Sequence, residues 1–406
     1  MDKKKIILLH HVSDQGGGTK SLIDVALMLR DKYDVVLCLP KGSDTTIGFA
    51  AEYGISCHEL RTPVPTCNVF SGGPSILSRN FLKGIFRFSR INDLVGELMS
   101  LKPDVLILNS LVTSLIAKRI PSTVVVICFI RETLVQSPLM RLFRQTFEKR
   151  IDGVAYIAEH EKRVFNIKKP YQAVLPDTVE PKSISLVSKE EARNICGLKQ
   201  DLYYVLYMGG SAKLKGFDTI LEAAIHTDDN VCVVILGNIS LGRFTLKNVL
   251  LHLYNPGYVR YLLRVRKFMA LLRDDPRVLF LGYRSDISTL MCSCDVIAFP
   301  SSEPHQPRPC IEAGVYGKPV ILSDFEATRE FFVDGYNALV FKPNNGKELA
   351  AKIIMLMQDE ELADRLGDHN RLMSKEKHDY ETIQKDTLTF IEDTISSKMK
   401  ASHEQG

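Results

Sequence analysis

The chain has 406 residues, a formal net charge of +4, and 45% hydrophobic and 25% charged residues. This length asks for two or three domains, and the composition is that of an ordinary globular protein. So small a positive excess does not point to nucleic acid. The nine cysteines, of which only Cys292 and Cys294 are close neighbours, form neither a zinc nor a disulfide framework and read as reduced thiols of a cytoplasmic protein.

The N-terminus carries Lys3-Lys4-Lys5 before an apolar run at 6–9. That run is too short for the core of a signal peptide, and no stretch approaches the roughly 18 apolar residues of a membrane span. In the first half, runs at 6–9, 35–39, 105–108, 124–129 and 154–157 read as strands, with helical patterns at 21–29 and 139–149 among them. After the first strand comes Gly16-Gly17-Gly18-Thr19-Lys20-Ser21. It lacks the leading glycine and the glycine–lysine adjacency of a P-loop. Its mechanism survives, because glycines let backbone N–H groups approach a phosphate at a helix N-terminus; a tight strand-to-helix turn is the alternative. Arg131, past the strand at 124–129, stands where it can meet phosphate or acceptor with Glu132 holding it; a structural Arg–Glu pair is the other reading.

Two stretches carry basic and apolar residues at helical spacing. Residues 78–99 include Arg79, Lys83, Arg87 and Arg90 with Phe81, Leu82, Ile85 and Phe86, and residues 258–273 include Arg260, Arg264 and Lys267. Such a helix either lies on anionic lipid or covers the core with its apolar face. Residues 177–189, with Pro181 and a Ser-rich, charged composition, read as a linker, and 181–200 is taken as the connection between halves. The second half has strand candidates at 203–207, 231–236, 278–281, 296–299, 320–322 and 338–341. It is helical after 347, and its tail frays from 401. Strands that are apolar throughout and alternate with helices imply parallel sheets covered on both faces.

The most informative stretch is 295–341. An apolar strand ends in a proline-rich loop holding Glu303, His305 and Arg308, and a helix opens near Cys310. Glu312 is expected in its first turn, where the positive end of the helix dipole favours a carboxylate. Gly317-Lys318-Pro319 ends that helix and a second strand begins at Val320. In an open α/β sheet, ligands bind beyond the carboxyl ends of strands.

Pro300-Ser301, Glu303, Glu312-Ala313, Gly317-Lys318-Pro319-Val320-Ile321 and Glu330, in that order, resemble the donor-site signature of the retaining family-4 glycosyltransferases, group 1 glycosyl transferases of the GT-B fold. The segment from Tyr207 to Asp218 resembles their second signature, with Lys215 at the family's lysine and Gly210 at its arginine position. Two departures stand out. Eight residues rather than seven separate Glu303 from Glu312, and His305-Gln306-Pro307 replaces the usual Gly-Phe-Gly.

The resemblance implies two Rossmann-like, doubly wound parallel-sheet domains facing a cleft. Residues 1–180 would receive the acceptor and 201–375 the nucleotide-sugar donor, with a helix and tail at 376–406 packing back towards the N-terminal domain. It implies retaining transfer of a sugar from a nucleotide-diphosphate donor to a glycan or lipid-linked acceptor in surface polysaccharide or glycoconjugate synthesis. Lys215, Glu303 and Arg131 would take catalytic roles. Gly17, Gly18, Gly209, Gly210, Lys213, Tyr283, Arg308 and Glu312 would bind the donor, Glu312 at the ribose hydroxyls and Tyr283 at the base. Lys213 or Arg308 would supply the charge missing at Gly210. Fixed cations there stabilise a departing diphosphate more than the ground state. Beyond the donor as co-substrate no cofactor is implied, and no metal, since no His/Cys set or paired aspartates have ligand spacing; His10-His11 and Asp274-Asp275 read as strand-end and surface residues. Lipid-linked acceptors imply peripheral contact with the cytoplasmic membrane surface. A sugar-nucleotide epimerase of the same fold, or a non-catalytic nucleotide-sugar-binding subunit, are the alternatives.

Overall fold

The structure, a computed structural model, describes residues 3–13, 16–68, 79–134, 140–168, 171–178, 186–240 and 256–403. The chain divides into two compact units: Met1–Thr178 together with Tyr380–Gly406, and Val179–Asp379. In the first unit, among the described residues, the strands are β1 (Lys5–Leu9), β2 (Asp34–Pro40), β3 (Ser56–Leu60), β4 (Val105–Leu108), β5 (Val125–Ile130), β6 (Gly153–Tyr156) and β7 (Gln172–Val174). They form one sheet in the order β3-β2-β1-β4-β5-β6-β7, every neighbouring pair parallel.

Side chains alternate faces along a strand, and both faces of this sheet are covered. Along β1, Ile7 and Leu9 enter one buried cluster with Leu94 and Leu98 of the helix Ile91–Ser100 and Phe143 of the helix Met140–Arg150. Ile6 and Leu8 enter another with Leu22 and Ala26 of the helix Gly17–Leu29. That second cluster also takes Phe390, Ile391 and Ile395 from the long helix Tyr380–His403, although these lie more than two hundred residues further along the chain than Val174. At Gly153 on β6 an added Cβ would stand 2.7 Å from Thr394 Oγ1, so the helix lies directly on the strand backbone.

The segment 181–200, expected to connect the halves, needs correction. Residues 181–185 lie outside the described ones, but Lys189–Cys196 is a helix of the second unit. Ser188 caps it by accepting from the Glu191 N–H at 3.2 Å, and buried Arg193 donates to Asp295 at 2.7 Å. The start of the stretch 78–99 at 78 also lies outside the described residues. From Arg79 it is no single helix but the helices Arg79–Phe86 and Ile91–Ser100 with a 3-10 turn, Arg87–Arg90, between them.

The second unit's strands are β8 (Tyr203–Met208), β9 (Val231–Leu236), β10 (Val278–Gly282), β11 (Val296–Phe299), β12 (Val320–Ser323) and β13 (Leu339–Phe341), in the order β10-β9-β8-β11-β12-β13 and again all parallel. Two doubly wound parallel sheets are the expected class. Each sheet reverses its winding beside the unit's first strand, between β1 and β4 and between β8 and β11. At such a point the crossover connections depart to opposite faces and leave a crevice at the strands' carboxyl ends. Among the described residues, no helix is long and apolar enough to cross a membrane.

Because Ile391 is fully buried against the first unit's sheet, Ile391→Ala should destabilise that unit by about 2–5 kcal/mol. Urea denaturation of the two proteins checks this. Unchanged stability would show that the helix is dispensable to the first unit's core.

Candidate functional site

At the switch point of the second sheet the loops that follow β8 and β11 meet. Gly216 lets them. Its φ is +73°, and a Cβ there would stand 1.6 Å from the Pro300 carbonyl oxygen, so only glycine allows the two backbones this approach. Hydrogen bonds then stitch the loops together. The Ser302 N–H donates to the Leu214 carbonyl at 3.0 Å, and Ser302 Oγ donates to the Lys213 carbonyl at 2.9 Å. Between these contacts the chain makes a single 3-10 turn, Lys213–Lys215, before the helix Phe217–His226.

Lys215 is half-buried in this seam. Its Nζ lies 5.1 Å from the centroid of the Phe299 ring, at the end of β11. Desolvation pulls its pKa down to about 8, with Cys310 acting weakly the other way. The His305 ring stacks on Phe299 at 6.1 Å with an interplanar angle of 15°. Burial first, and the neighbouring Lys215 charge second, hold His305 well below its ordinary pKa, so that imidazole is neutral. Lys215, Phe299, His305 and Cys310 thus form one group around a single ammonium. Phe299 and His305 had no place among the expected site residues; the signal was their position, the last residue of a buried strand and the residue that departs from the family loop.

Lys213 projects from the same turn and pairs with Glu303 at 3.6 Å, with side chains 33% and 43% exposed. The next helix is Arg308–Val315, which begins two residues earlier than expected and takes Pro309 into its first turn. Glu312 is consequently its fifth residue, not a first-turn residue, and the dipole argument for it fails. Its partner is Arg308, whose Nε donates to Oε1 at 3.0 Å. That pair is well covered, at 12% and 13% exposure, so Arg308 is engaged with Glu312 rather than held out as a cation.

Gly209 and Gly210 have a steric reason of their own. A Cβ on Gly209 would stand 2.2 Å from the Tyr207 hydroxyl oxygen, and one on Gly210, at φ +54°, would stand 2.7 Å from the Asn238 carbonyl oxygen. The loop after β9 packs against them, with Gly210 N–H donating to Leu236 O at 2.8 Å. An arginine at 210 would need a different backbone. Tyr283 stands apart, two strands away at the end of β10, and is 70% exposed.

The remaining expected residues belong to the first unit. Gly17 and Gly18 open the helix Gly17–Leu29 at the end of β1, beside the switch point of that sheet. The Gly18 carbonyl accepts from Asn109 Nδ2 at 3.1 Å, and a Cβ on Gly18 would meet only ordinary contact. His10, directly after the last residue of β1, is 1% exposed. Burial, with some help from His11, lowers its pKa to about 3, and its Nε2 lies 3.2 Å from Thr19 Oγ1. Arg131 pairs with Asp177, Nη1 to Oδ1 at 2.8 Å, rather than with Glu132. Ser21 Oγ donates to the same Asp177 oxygen at 2.6 Å. Glu132 instead accepts from the Ser110 hydroxyl and from the Leu111 N–H at 3.0 Å. Arg131, Asp177 and Ser21 thus form one largely buried network linking the end of β5, the helix Gly17–Leu29 and the segment after β7.

Elsewhere, Arg264 of the helix Pro256–Leu271 is bound to Asp218 and Glu222, so part of that helix's basic character serves packing. Asp275 pairs with Arg277. Among the described residues, no group of three or more His, Cys, Asp or Glu side chains is disposed to hold a metal ion.

Residues 188–373 match the family model described as Glycosyl transferases group 1. An N,N'-diacetylbacillosaminyl-diphospho-undecaprenol alpha-1,3-N-acetylgalactosaminyltransferase of Campylobacter jejuni is 39% identical over 83 residues, 20% of this chain and 22% of that protein. An uncharacterized glycosyltransferase of Methanocaldococcus jannaschii is 24% identical over 54% of this chain and 56% of its own length. These matches span about a fifth of the first relative's length and little more than half of the second's. Among solved structures, HepE of Anabaena in complex with UDP and glucose superposes with a TM-score of 0.74 at 18% identity, covering 97% of this chain and 100% of that one. Residues 188–373 of the second unit are thus similar to a Glycosyl transferases group 1 domain, and the fold is GT-B.

Proposed function

We propose that the chain is a retaining glycosyltransferase that moves a sugar from a nucleoside-diphosphate donor to a hydroxyl of a glycan or lipid-linked acceptor. The observation that carries this reading is the Lys215 ammonium, desolvated at the carboxyl ends of β8 and β11 and beside the first turn of the helix Arg308–Val315. A fixed cation with little water around it stabilises the charge that grows on a departing diphosphate. Glu312 would turn to the ribose hydroxyls and Glu303 to the sugar. The first unit, with Gly17 and Gly18 at its own helix N-terminus, would receive the acceptor. Substitution on one face, through an oxocarbenium-like state, needs no protein nucleophile. The Anabaena structure with UDP and glucose makes uridine diphosphate donors the first to test, and the Campylobacter relative's name favours a lipid-linked diphosphate acceptor.

On this reading the lysine and the helix N-terminus would take over a metal's role at the diphosphate. Transfer from a nucleoside-diphosphate sugar should therefore persist in excess chelator, and the product should keep the donor's anomeric configuration by proton NMR. Release of epimerised nucleotide without acceptor, or donor binding without turnover across an acceptor panel, would replace this reading with an epimerase or a binding subunit.

Lys215 also dictates a pH dependence. Its folded pKa lies near 8 rather than at the ordinary 10.5, so the cation is lost as pH rises through 8. Because kcat/KM reports the free enzyme's groups, kcat/KM for the donor should fall above about pH 8. Lys215→Arg, whose charge persists, should remove that descending limb, and Lys215→Ala should lower kcat about 10²–10³-fold. A profile flat to pH 10 in the unmodified enzyme would separate Lys215 from the chemistry.

A peripheral membrane site on the cytoplasmic face goes with a lipid-linked acceptor. The helix Arg79–Phe86 supports it. Leu82, Ile85 and Phe86, at one helical face, are 44%, 38% and 75% exposed, and Lys83, Arg87 and Arg90 are exposed beside them. Its opposite side is committed to the core through Phe81 and through Gly84, where a Cβ would meet Thr66 at 2.5 Å. The chain should float with vesicles containing phosphatidylglycerol, release in high salt, and lose binding in Phe86→Asp. Equal flotation of that variant would discard this surface.

A further inference from the structure

The second charge for the diphosphate must come from a side chain other than residue 210. Gly210 sits at positive φ with its Cβ direction blocked by the Asn238 carbonyl at 2.7 Å, and Gly237 closes on it from the same loop. No cation can be carried at this position on this backbone. The other nearby cations among the described residues differ in what already holds them. Arg308 is fixed to Glu312 at 3.0 Å in a covered pair. Arg264 is divided between Asp218 at 3.4 Å and Glu222 at 2.8 Å. Lys318 donates to the Cys292 and Cys294 carbonyls, near the start of β11 and so at the wrong end of the sheet. Lys213 shares the 3-10 turn of Lys215, and its contact with Glu303 is the longest and most exposed of these pairs.

We infer that Lys213 is the second cation for the leaving diphosphate, and that Glu303 is the internal counter-ion that holds Lys213 until the diphosphate takes its place. This rests on the donor reading given above and extends it to a residue pair particular to this chain. An exposed ion pair at 3.6 Å is weak, whereas an ammonium on a multiply charged phosphate makes stronger, charge-assisted hydrogen bonds. Exchange of one for the other therefore runs downhill. It also takes Lys213 away from the Glu303 carboxylate as the donor arrives, in the loop that follows β11, where a sugar hydroxyl would need an acceptor. The backbone around both residues stays fixed, since Ser302 is bonded to Lys213 O and Leu214 O through the seam; only two partly exposed side chains move.

The test compares nucleoside diphosphate with the matching monophosphate, using whichever of UDP, GDP and ADP binds the unmodified chain most tightly by calorimetry. Lys213→Ala should weaken the diphosphate about 10–100-fold and leave the monophosphate within about twofold, as expected for one charge-assisted contact at the outer phosphate. Glu303→Gln should tighten the diphosphate about two- to fivefold by removing the competing carboxylate, while turnover falls. Arg308→Ala, which releases Glu312, should weaken both nucleotides alike. Thermal unfolding of each variant confirms that it is folded, which the exposure of Lys213 and Glu303 favours. Diphosphate binding by Lys213→Ala equal to that of the unmodified chain, or weakened diphosphate binding in Glu303→Gln, overturns the assignment and leaves the donor reading standing. Failure of the unmodified chain to bind any of the three diphosphates removes the donor reading and this inference with it.

Discussion

The site depends on one contact between two backbones, Gly216 against the Pro300 carbonyl. Peptide groups approach this closely only where a residue has no side chain and can take positive φ. That contact fixes the spacing between the β8 and β11 loops, and everything chemical in the second unit is hung on those loops. Lys213 and Lys215 lie on one side of the seam, and Phe299, Glu303 and His305 on the other. A rigid seam matters because stabilising a developing charge requires groups already in position before the charge appears. Side chains on two independently moving loops would have to reorganise first.

The second constraint is the cost of burying an ammonium. Moving a charge out of water is unfavourable unless something replaces the lost hydration. Around Lys215 the replacements are modest: the face of Phe299, an attractive but weak partner, and a neutral histidine. No carboxylate contact to Lys215 is formed among the hydrogen bonds and ion pairs described for it. The group is thus left with unspent affinity for an anion. The neighbouring cations contrast with it, since Arg308 and Arg264 are closed in ion pairs. Charge alone therefore does not single out a candidate among these cations; the lack of a described carboxylate partner is what sets Lys215 apart.

The fold was legible because the central strands are apolar on both faces. β1, β4, β5, β8, β9, β11 and β12 stand out in the sequence as short buried runs. β3 and β7 did not, for a physical reason. β3 reads Ser-Cys-His-Glu-Leu and β7 Gln-Ala-Val, and both lie at the ends of the first sheet, where one edge and much of each face escape the core. The helix Lys189–Cys196 was hidden by its own charge, since Lys189, Glu190 and Glu191 look like a solvated linker. Its burial is carried by Ala192 and by Arg193, which is satisfied by Asp295 and by the carbonyls of Ser293 and Gln200. Of the candidate site, the glycine turns were visible as motifs and Lys215 came only through the family resemblance. The partners of Arg131, Arg308 and Glu303 did not, because an ion pair between distant segments leaves no periodic trace.

The loop that departs from the family pattern shows why a changed motif need not be a damaged one. The extra residue between Glu303 and Glu312 accompanies a replacement of flexible glycines by His305, Gln306 and Pro307. Proline restricts φ, the imidazole stacks on Phe299, and Gln306 is buried at 8% exposure. A glycine loop would supply backbone amides to a ligand; this one supplies a desolvating wall beside Lys215 and two side chains with hydrogen-bonding atoms. Gly210 follows the same logic from the other side, since the turn that excludes an arginine there is the turn that brings the β9 loop against the β8 loop. The uncharged position 210 and the bulky one at 305 lie on the two loops that the Gly216–Pro300 contact joins, so tight backbone packing on the β8 side faces a proline-stiffened loop on the β11 side.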